Sequence, residues 1–309
     1  MQVHYDLDKL PVFRNAVITI GTFDGVHMGH RQILDKLKSE AAAVGGETVL
    51  VTFHPHPRKV VSSTILGIRL INSLSERIEL LGGLGIDHVV VAPFTDAFAN
   101  QPAEEYIRNF LVDRFHPHTI IIGYDHRFGR DRMGDFRLME KFAPVLGYRM
   151  LEIPKHILEN ISISSTNIRE AILHSDTDTA NKLLGYNFFF TGTIVHGDKI
   201  GRKLGYPTAN LRIDTEDKII PGNGIYAVYA EVQGEPGLKK GMMSIGFRPT
   251  VDGKKRVVEV NIFDFDREIY DDTLKVHVKK YLREEIKFDG LDPLIKQIDK
   301  DKQDSLRIL

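Results

Sequence analysis

AVITIGTFDGVHMGH, residues 16–30, runs from a short apolar segment into a glycine-spaced turn and then into a helical pattern. The apolar segment is rich in Val and Ile on both faces, as expected of an interior strand in a parallel sheet covered by helices. Downstream, Ile33, Leu34, Leu37 and Ala41 recur at helical spacing, and Gly45-Gly46 closes the segment. The same alternation continues through TVLVTF, HVVVAPF, HTIIIG and RMLEI to about residue 153. Strand and helix in alternation predict right-handed crossovers and an α/β fold with a doubly wound parallel sheet. Ligands of such sheets bind beyond the carboxyl ends of the strands, which is where residues 21–30 fall.

That turn carries chemistry of its own. Gly21, Gly25 and Gly29 let the backbone come close to a ligand. The helix start offers free N–H groups and a partial positive charge to a phosphate. His27 and His30, three apart, share one helical turn and can stabilise charge on a leaving pyrophosphate. A plain turn with surface histidines is the alternative, and three glycines with two histidines at one junction weigh against it. The stretch is neither a Walker P-loop nor a G-x-G-x-x-G fingerprint. Ser164, Ser165 and Thr166 stand where another helix would start, and Arg169 follows one turn later with a fixed positive charge. Asp125 and Arg127 come just after HTIIIG, at the ligand end of the sheet.

From about Phe188 the periodicity changes to two. GIYAVYAEV sets Tyr226, Val228, Ala230 and Val232 on one face. RVVEVNIF does the same with Val258, Val260 and Ile262, which turns Val257, Glu259 and Asn261 to the other face. FFTGTIVHG, GMMSIG and LKVHVKKYL add further strands, predicting an antiparallel barrel or sandwich. Leu291, Leu294, Ile295 and Ile298 predict a terminal amphipathic helix that packs on it. The switch near residues 184–188 places the expected boundary between domains 1–185 and 186–309. In GRKLGYPTANL, residues 201–211, Lys203 and Arg202 can approach phosphate, and Thr208 and Asn210 offer two oxygen ligands to a hard cation such as Mg²⁺. Pro-Thr-Ala-Asn reads equally as a turn.

Composition narrows the function classes. The 309 residues hold 41 Lys plus Arg against 42 Asp plus Glu, a formal net charge of -1. That balance argues against a nucleic-acid binder and against a polybasic membrane-surface protein. No apolar run reaches the length of a membrane span, and MQVHYDLDKL has no secretory pattern, so a cytoplasmic protein is expected. With 0 Cys, thiolate metal sites, disulfides and a Cys nucleophile are excluded.

GTFDGVHMGH resembles the signature of the nucleotidylyltransferase superfamily, and its FDGVH form resembles the bacterial bifunctional riboflavin kinase/FAD synthetases. FHPHP (53–57), GYDHRFG (123–129) and ISSTNIR (163–169) resemble further segments of that family, in its order. GRKLGYPTAN (201–210) and SIGFRPT (244–250) resemble its riboflavin kinase segments. The resemblance implies an N-terminal FMN adenylyltransferase domain, a C-terminal riboflavin kinase barrel, ATP as co-substrate and Mg²⁺ at both sites. It assigns Gly21, Phe23, Asp24, Gly25, Gly29, Ser164, Ser165, Thr166 and Arg169 to ATP, with His27 and His30 catalytic. It assigns His56, Asp125, Arg127 and Phe128 to the flavin of the first domain. In the barrel it assigns Gly201, Lys203, Gly205, Pro207, Thr208, Asn210 and Arg248 to ATP and flavin, with Thr208 and Asn210 also on the metal. Glu259 would be the general base on the ribityl 5′-hydroxyl.

The implied partners are riboflavin, FMN, FAD and ATP, without nucleic acid or membrane, in a monomer or weak homo-oligomer. Three positions depart from the family pattern: His126 replaces Phe, Ser162 replaces a basic residue, and Asn261 replaces His. Two other readings stand beside the leading one. One is a chain with a single activity; the other is a flavin- or nucleotide-binding regulator without turnover.

Overall fold

The computed structural model describes residues 1–61, 69–124, 126–153, 164–197, 200–250 and 253–309. Contacts divide the chain into two compact units, Met1–Ser165 and Thr166–Leu309.

The first unit is built on a six-stranded sheet. Its strands are β1 (Gln2–His4), β2 (Val17–Ile20), β3 (Thr48–His54), β4 (His88–Pro93), β5 (Thr119–Gly123) and β6 (Arg149–Ile153). They lie in the order β1-β4-β3-β2-β5-β6, with every pairing parallel. All four residues of β2 are buried, because the sheet has a hydrophobic cluster on each face. Ile18 and Ile20 join the cluster of Phe53, Phe110 and Phe115, while Val17 joins that of Leu34, Leu37 and Leu81. Each such side chain contributes about 1.5–3 kcal/mol by leaving water. From β2 the chain winds one way through β3 and β4, then returns to β5 and winds the other way. The crevice beyond the ends of β2 and β5 is therefore the topological switch point. The five Val/Ile runs are β2 to β6. The first ten residues, which showed no pattern, supply β1 as an edge strand.

The second unit is a closed antiparallel barrel. Its strands are β7 (Phe189–Val195), β8 (Ala209–Arg212), β9 (Gly224–Val232), β10 (Lys239–Thr250), β11 (Gly253–Ile262) and β12 (Thr273–Arg283). They close in the order β10-β11-β8-β7-β12-β9. Tyr226, Val228, Ala230, Val232, Val258 and Val260 fill the core, as period-two alternation requires. β8 lies within the segment whose Pro-Thr-Ala-Asn reads as a turn, so Asn210 stands on a strand. The helix Thr177–Leu184 is tied to β12: Asn181 Nδ2 donates to Val278 O at 3.0 Å, and Tyr281 N donates to Thr177 Oγ1 at 3.0 Å.

The terminal helix Leu291–Ile308 packs on β9, β10 and β12. Its seat differs from the expected apolar stripe. Leu291 is exposed, whereas Asp301 and Ser305 are buried. Arg283 grips Asp301 through Nε at 2.9 Å and Nη2 at 2.5 Å. Leu294, Ile295 and Ile298 of the expected stripe are half-buried, and the ion pair adds a polar anchor beside them.

Candidate active sites

In the first unit, β2 ends and Gly21 N donates to Val51 O at 3.0 Å, which carries the ladder one residue further. The chain then turns tightly, with Val26 N donating to Phe23 O at 3.0 Å. Phe23 (φ 50°), Gly25 (φ 91°) and Val26 (φ 37°) all take left-handed backbone. A β-branched residue there is strained, and such strain persists only where the surroundings over-determine it. The surroundings are visible. The buried Asp24 carboxylate accepts from Ile71 N at 3.0 Å and Asn72 N at 3.1 Å, clamping a distant segment to the turn. Ser165 Oγ donates to Asp24 O at 3.0 Å. Thr52 Oγ1 donates to Thr22 O at 3.1 Å.

His27 caps the helix Met28–Ala43, its Nδ1 accepting from His30 N at 3.3 Å. The rings of His27 and His30 stack at 3.7 Å between centroids and 11° between planes, and Phe23 lies 5.0 Å from His30. Gly29 is buried in the first turn of this helix. Burial, then the like charges of His27 and Arg77, hold the His30 pKa well below the usual imidazole range. His30 is thus neutral near pH 7, and its Nδ1 is buried with no hydrogen-bond partner among the described residues.

Arg77 was not anticipated. It lies 3% exposed on the helix Leu74–Gly82, and its Nη1 donates to Thr22 O and, at 3.0 Å, to Thr52 Oγ1. Burial lowers its pKa and the nearby Asp24 opposes that. One signal was legible: a cation sits in the first turns of a helix opened by the capping box Ser73/Glu76, against the helix dipole. Such a residue needs a partner elsewhere.

The residues assigned to the flavin are placed less uniformly. His56 is buried, with Nδ1 accepting from Arg58 N at 3.2 Å. Arg127 Nη1 donates to Asp135 Oδ2 at 2.7 Å. Phe128 is a core residue whose ring stacks on Tyr106 at 4.7 Å. Asp125 lies outside the described residues, as does Ser162. Ser164 is exposed ahead of the helix Ser165–Leu173, and Thr166 and Arg169 continue that helix in the second unit.

The second unit carries its own constellation. Register places Asn210 of β8 opposite Glu259 of β11, and Glu259 opposite Ser244 of β10. Directly paired residues share a face, so Asn210, Glu259 and Ser244 stand in one row across three strands. Glu259 is 14% exposed, and its Oε2 accepts from Arg248 Nη2. Asn261, two residues on, is buried and donates from Nδ2 to Pro207 O at 2.7 Å, so it fastens the turn that carries Thr208. Thr208 and Pro207 are exposed and line a cleft with Ile194, Val260, Phe265 and Tyr270. Tyr206 donates to Asp299, and that bond, then burial, pushes its pKa to about 12.

Gly201 opens this segment within the short helix Ile200–Lys203, and Gly205 follows in a turn. The Lys203 side chain lies outside the described residues. Gly197 has a stricter role: a Cβ there would fall 2.2 Å from Asn210 Nδ2. The Asn210 amide therefore occupies a cradle that only glycine leaves open. Among the described residues no group of three His, Cys, Asp or Glu can hold a metal. The hydroxyl of Thr208 and the amide oxygen of Asn210 fit instead a hard cation that keeps water and takes further oxygens from phosphate.

Comparison with known proteins agrees with this division. A family model described as FAD synthetase matches residues 10–167, and one described as riboflavin kinase matches residues 184–309. A bifunctional riboflavin kinase/FMN adenylyltransferase of Listeria monocytogenes is 38% identical over 94% of this chain and 91% of its own length. The protein of that name from Bacillus subtilis is 36% identical over 94% and 92%. A crystal structure described as a macrolide-efflux protein from Streptococcus pneumoniae superposes with a TM-score of 0.88 at 29% identity, covering 98% of both chains. Among the described residues of the present chain, no helix is long and apolar enough to cross a membrane. Matched in both halves by family models and along nine-tenths of such relatives, the chain belongs to the bifunctional riboflavin kinase/FMN adenylyltransferase family.

Proposed function

We propose that this chain converts riboflavin to FAD in two ATP-dependent steps, in the cytoplasm, with the functional boundary at residues 185/186. In the barrel, the ribityl 5′-hydroxyl oxygen bonds to the γ-phosphorus of ATP, its proton passes to Glu259, and the bond to ADP breaks. In the first unit, a phosphate oxygen of FMN bonds to the α-phosphorus of a second ATP and pyrophosphate leaves. No protein nucleophile enters either step, in keeping with the 0 Cys of the sequence.

The observation that carries the reading is the row Asn210–Glu259–Ser244, which sets a carboxylate beside an oxygen-donor amide on one face of the barrel. Phosphoryl transfer needs that combination of proton acceptor and charge neutralisation. Thr208 and Asn210 are the residues that would hold Mg²⁺, which supplies neutralisation of phosphate charge when bound. At the other site, the cap of the helix Met28–Ala43 and the stacked His27/His30 pair meet the triphosphate. Neutral His30 there donates one N–H to the departing pyrophosphate. The assignments of Thr166 and Arg169 to ATP, and of Asp125, Arg127 and Phe128 to the flavin, rest on motif alone.

The test is ATP-dependent pyrophosphate release with FMN as sole acceptor, alongside ADP release with riboflavin. Both are expected from the intact chain. Riboflavin-dependent ADP release without FMN-dependent pyrophosphate would leave a kinase alone.

A further inference from the structure

We propose that Glu285 is a positioning residue of the kinase site, drawing Arg248 away from Glu259 so that the base is free to take the ribityl proton. The proposal rests on the reading of Glu259 as that base.

Glu259 is not free as it stands. Its Oε2 accepts from Arg248 Nη2, with the two side chains 14% and 35% exposed. A carboxylate oxygen that already accepts a charge-assisted hydrogen bond from a guanidinium has that lone pair engaged and is not open to the substrate hydroxyl. Turnover therefore requires another acceptor for Arg248. β10 shows where one stands. Ser244, Gly246 and Arg248 point to the same face by the two-residue repeat of the strand, and Ser244 lies directly opposite Glu259. Arg248, opposite Lys255, reaches back toward Glu259 across the bare backbone of Gly246. A Cβ on Gly246 would fall 1.9 Å from Glu285 Oε1 and 2.4 Å from Oε2, so the Glu285 carboxylate lies directly over that glycine. Two carboxylates thus flank the path of one guanidinium.

Glu285 follows the end of β12 by two residues, and the neighbouring cation is already committed. Arg283 binds Asp301 through Nε at 2.9 Å and Nη2 at 2.5 Å. Arg248 and Arg283 are the cations whose charge reaches Glu285, and of the two Arg248 is the one that also holds Glu259. The electrostatics agree with that placement. Burial raises the Glu285 carboxyl, the charges of Arg248 and Arg283 pull it down, and Glu259 pushes it up. Exchange of one arginine between two carboxylates needs only side-chain rotation, and both ends of the exchange are charge-assisted hydrogen bonds.

The experiment is steady-state FMN formation from riboflavin, ATP and Mg²⁺ by the full chain and its Glu285→Gln, Glu285→Asp and Glu259→Gln variants. Glu285→Gln leaves Arg248 on the base, so kcat falls about tenfold while KM for riboflavin and for ATP stays within about twofold. Glu285→Asp recovers most of kcat, because charge rather than shape is required. Melting temperature and FAD formation from FMN are unchanged in both, which separates the effect from loss of fold. Wild-type kcat in Glu285→Gln, with activity lost in Glu259→Gln, overturns the positioning role alone. FMN formation that survives in Glu259→Gln overturns the base assignment and the positioning role with it.

Discussion

His126, which the motif resemblance marks as a departure from Phe, has an environment that makes its protonation measurable. Its ring lies 5.8 Å from Phe128, its Nε2 is buried with no hydrogen-bond partner among the described residues, and burial followed by Arg132 pushes its pKa down to about 4. The fold favours the neutral ring, whereas the unfolded chain protonates near pH 6.5. Stability from this residue is complete above pH 6.5 and is lost as the pH falls toward 4, by at most about 3 kcal/mol. Denaturation at pH 7 and pH 4.5 should show the loss, and His126→Phe should reduce it by a comparable amount. Equal pH dependence in the two proteins would contradict this. Asn261, the other departure that the structure describes, has a visible use in its bond to Pro207 O. Nothing in the sequence signalled that partner, which lies 54 residues away.

At the scale of elements, the strained turn after β2 is held by the helix Leu74–Gly82 and the segment before it. Arg77 donates to Thr22 O, and Asp24 accepts from Ile71 N and Asn72 N. Replacing Arg77 by Leu removes one of the two donors to Thr22 O and the donor to Thr52 Oγ1, a loss of about 1–3 kcal/mol for bonds from a charged group. It also frees the turn that sets His27 and His30. The predicted result for Arg77→Leu is at least about tenfold slower adenylyl transfer to FMN, with FMN formation unchanged. The terminal helix offers a second test. Asp301 is 5% exposed in its pair with Arg283, and removing one partner of such a pair costs about 3–5 kcal/mol. Asp301→Ala should lower the urea midpoint accordingly, and a shift below about 1 kcal/mol would mean that the apolar contacts carry the helix. The sequence pattern pointed to those contacts because Leu291, Leu294, Ile295 and Ile298 fall on one stripe. Arg283 and Asp301 are 18 residues apart, which no local pattern reports.

Across the whole molecule, the elements legible from sequence were those with enough residues to show a period. The Val/Ile runs of β2 to β6 and the alternation of β9 and β11 are long enough to declare their neighbours. β1, three residues, and β8, four, are too short, and each is defined only by the strand it pairs with. Of the candidate sites, motif spacing located the glycine turn and the Glu259 strand. It did not show that Asp24 is spent on a backbone clamp, nor that Arg248 lies on Glu259, because both depend on register between distant segments.

One chain is expected to carry two separable activities. The direct measurement is an end-point assay with ATP and Mg²⁺ in which riboflavin, FMN and FAD are resolved by chromatography, starting from riboflavin and, in parallel, from FMN. The intact chain should yield FAD from both starts. Glu259→Gln should yield FAD from FMN only, and His30→Ala should turn riboflavin into FMN that accumulates. A single substitution that abolishes both conversions in a folded protein, or an intact chain that forms neither FMN nor FAD, would contradict the account.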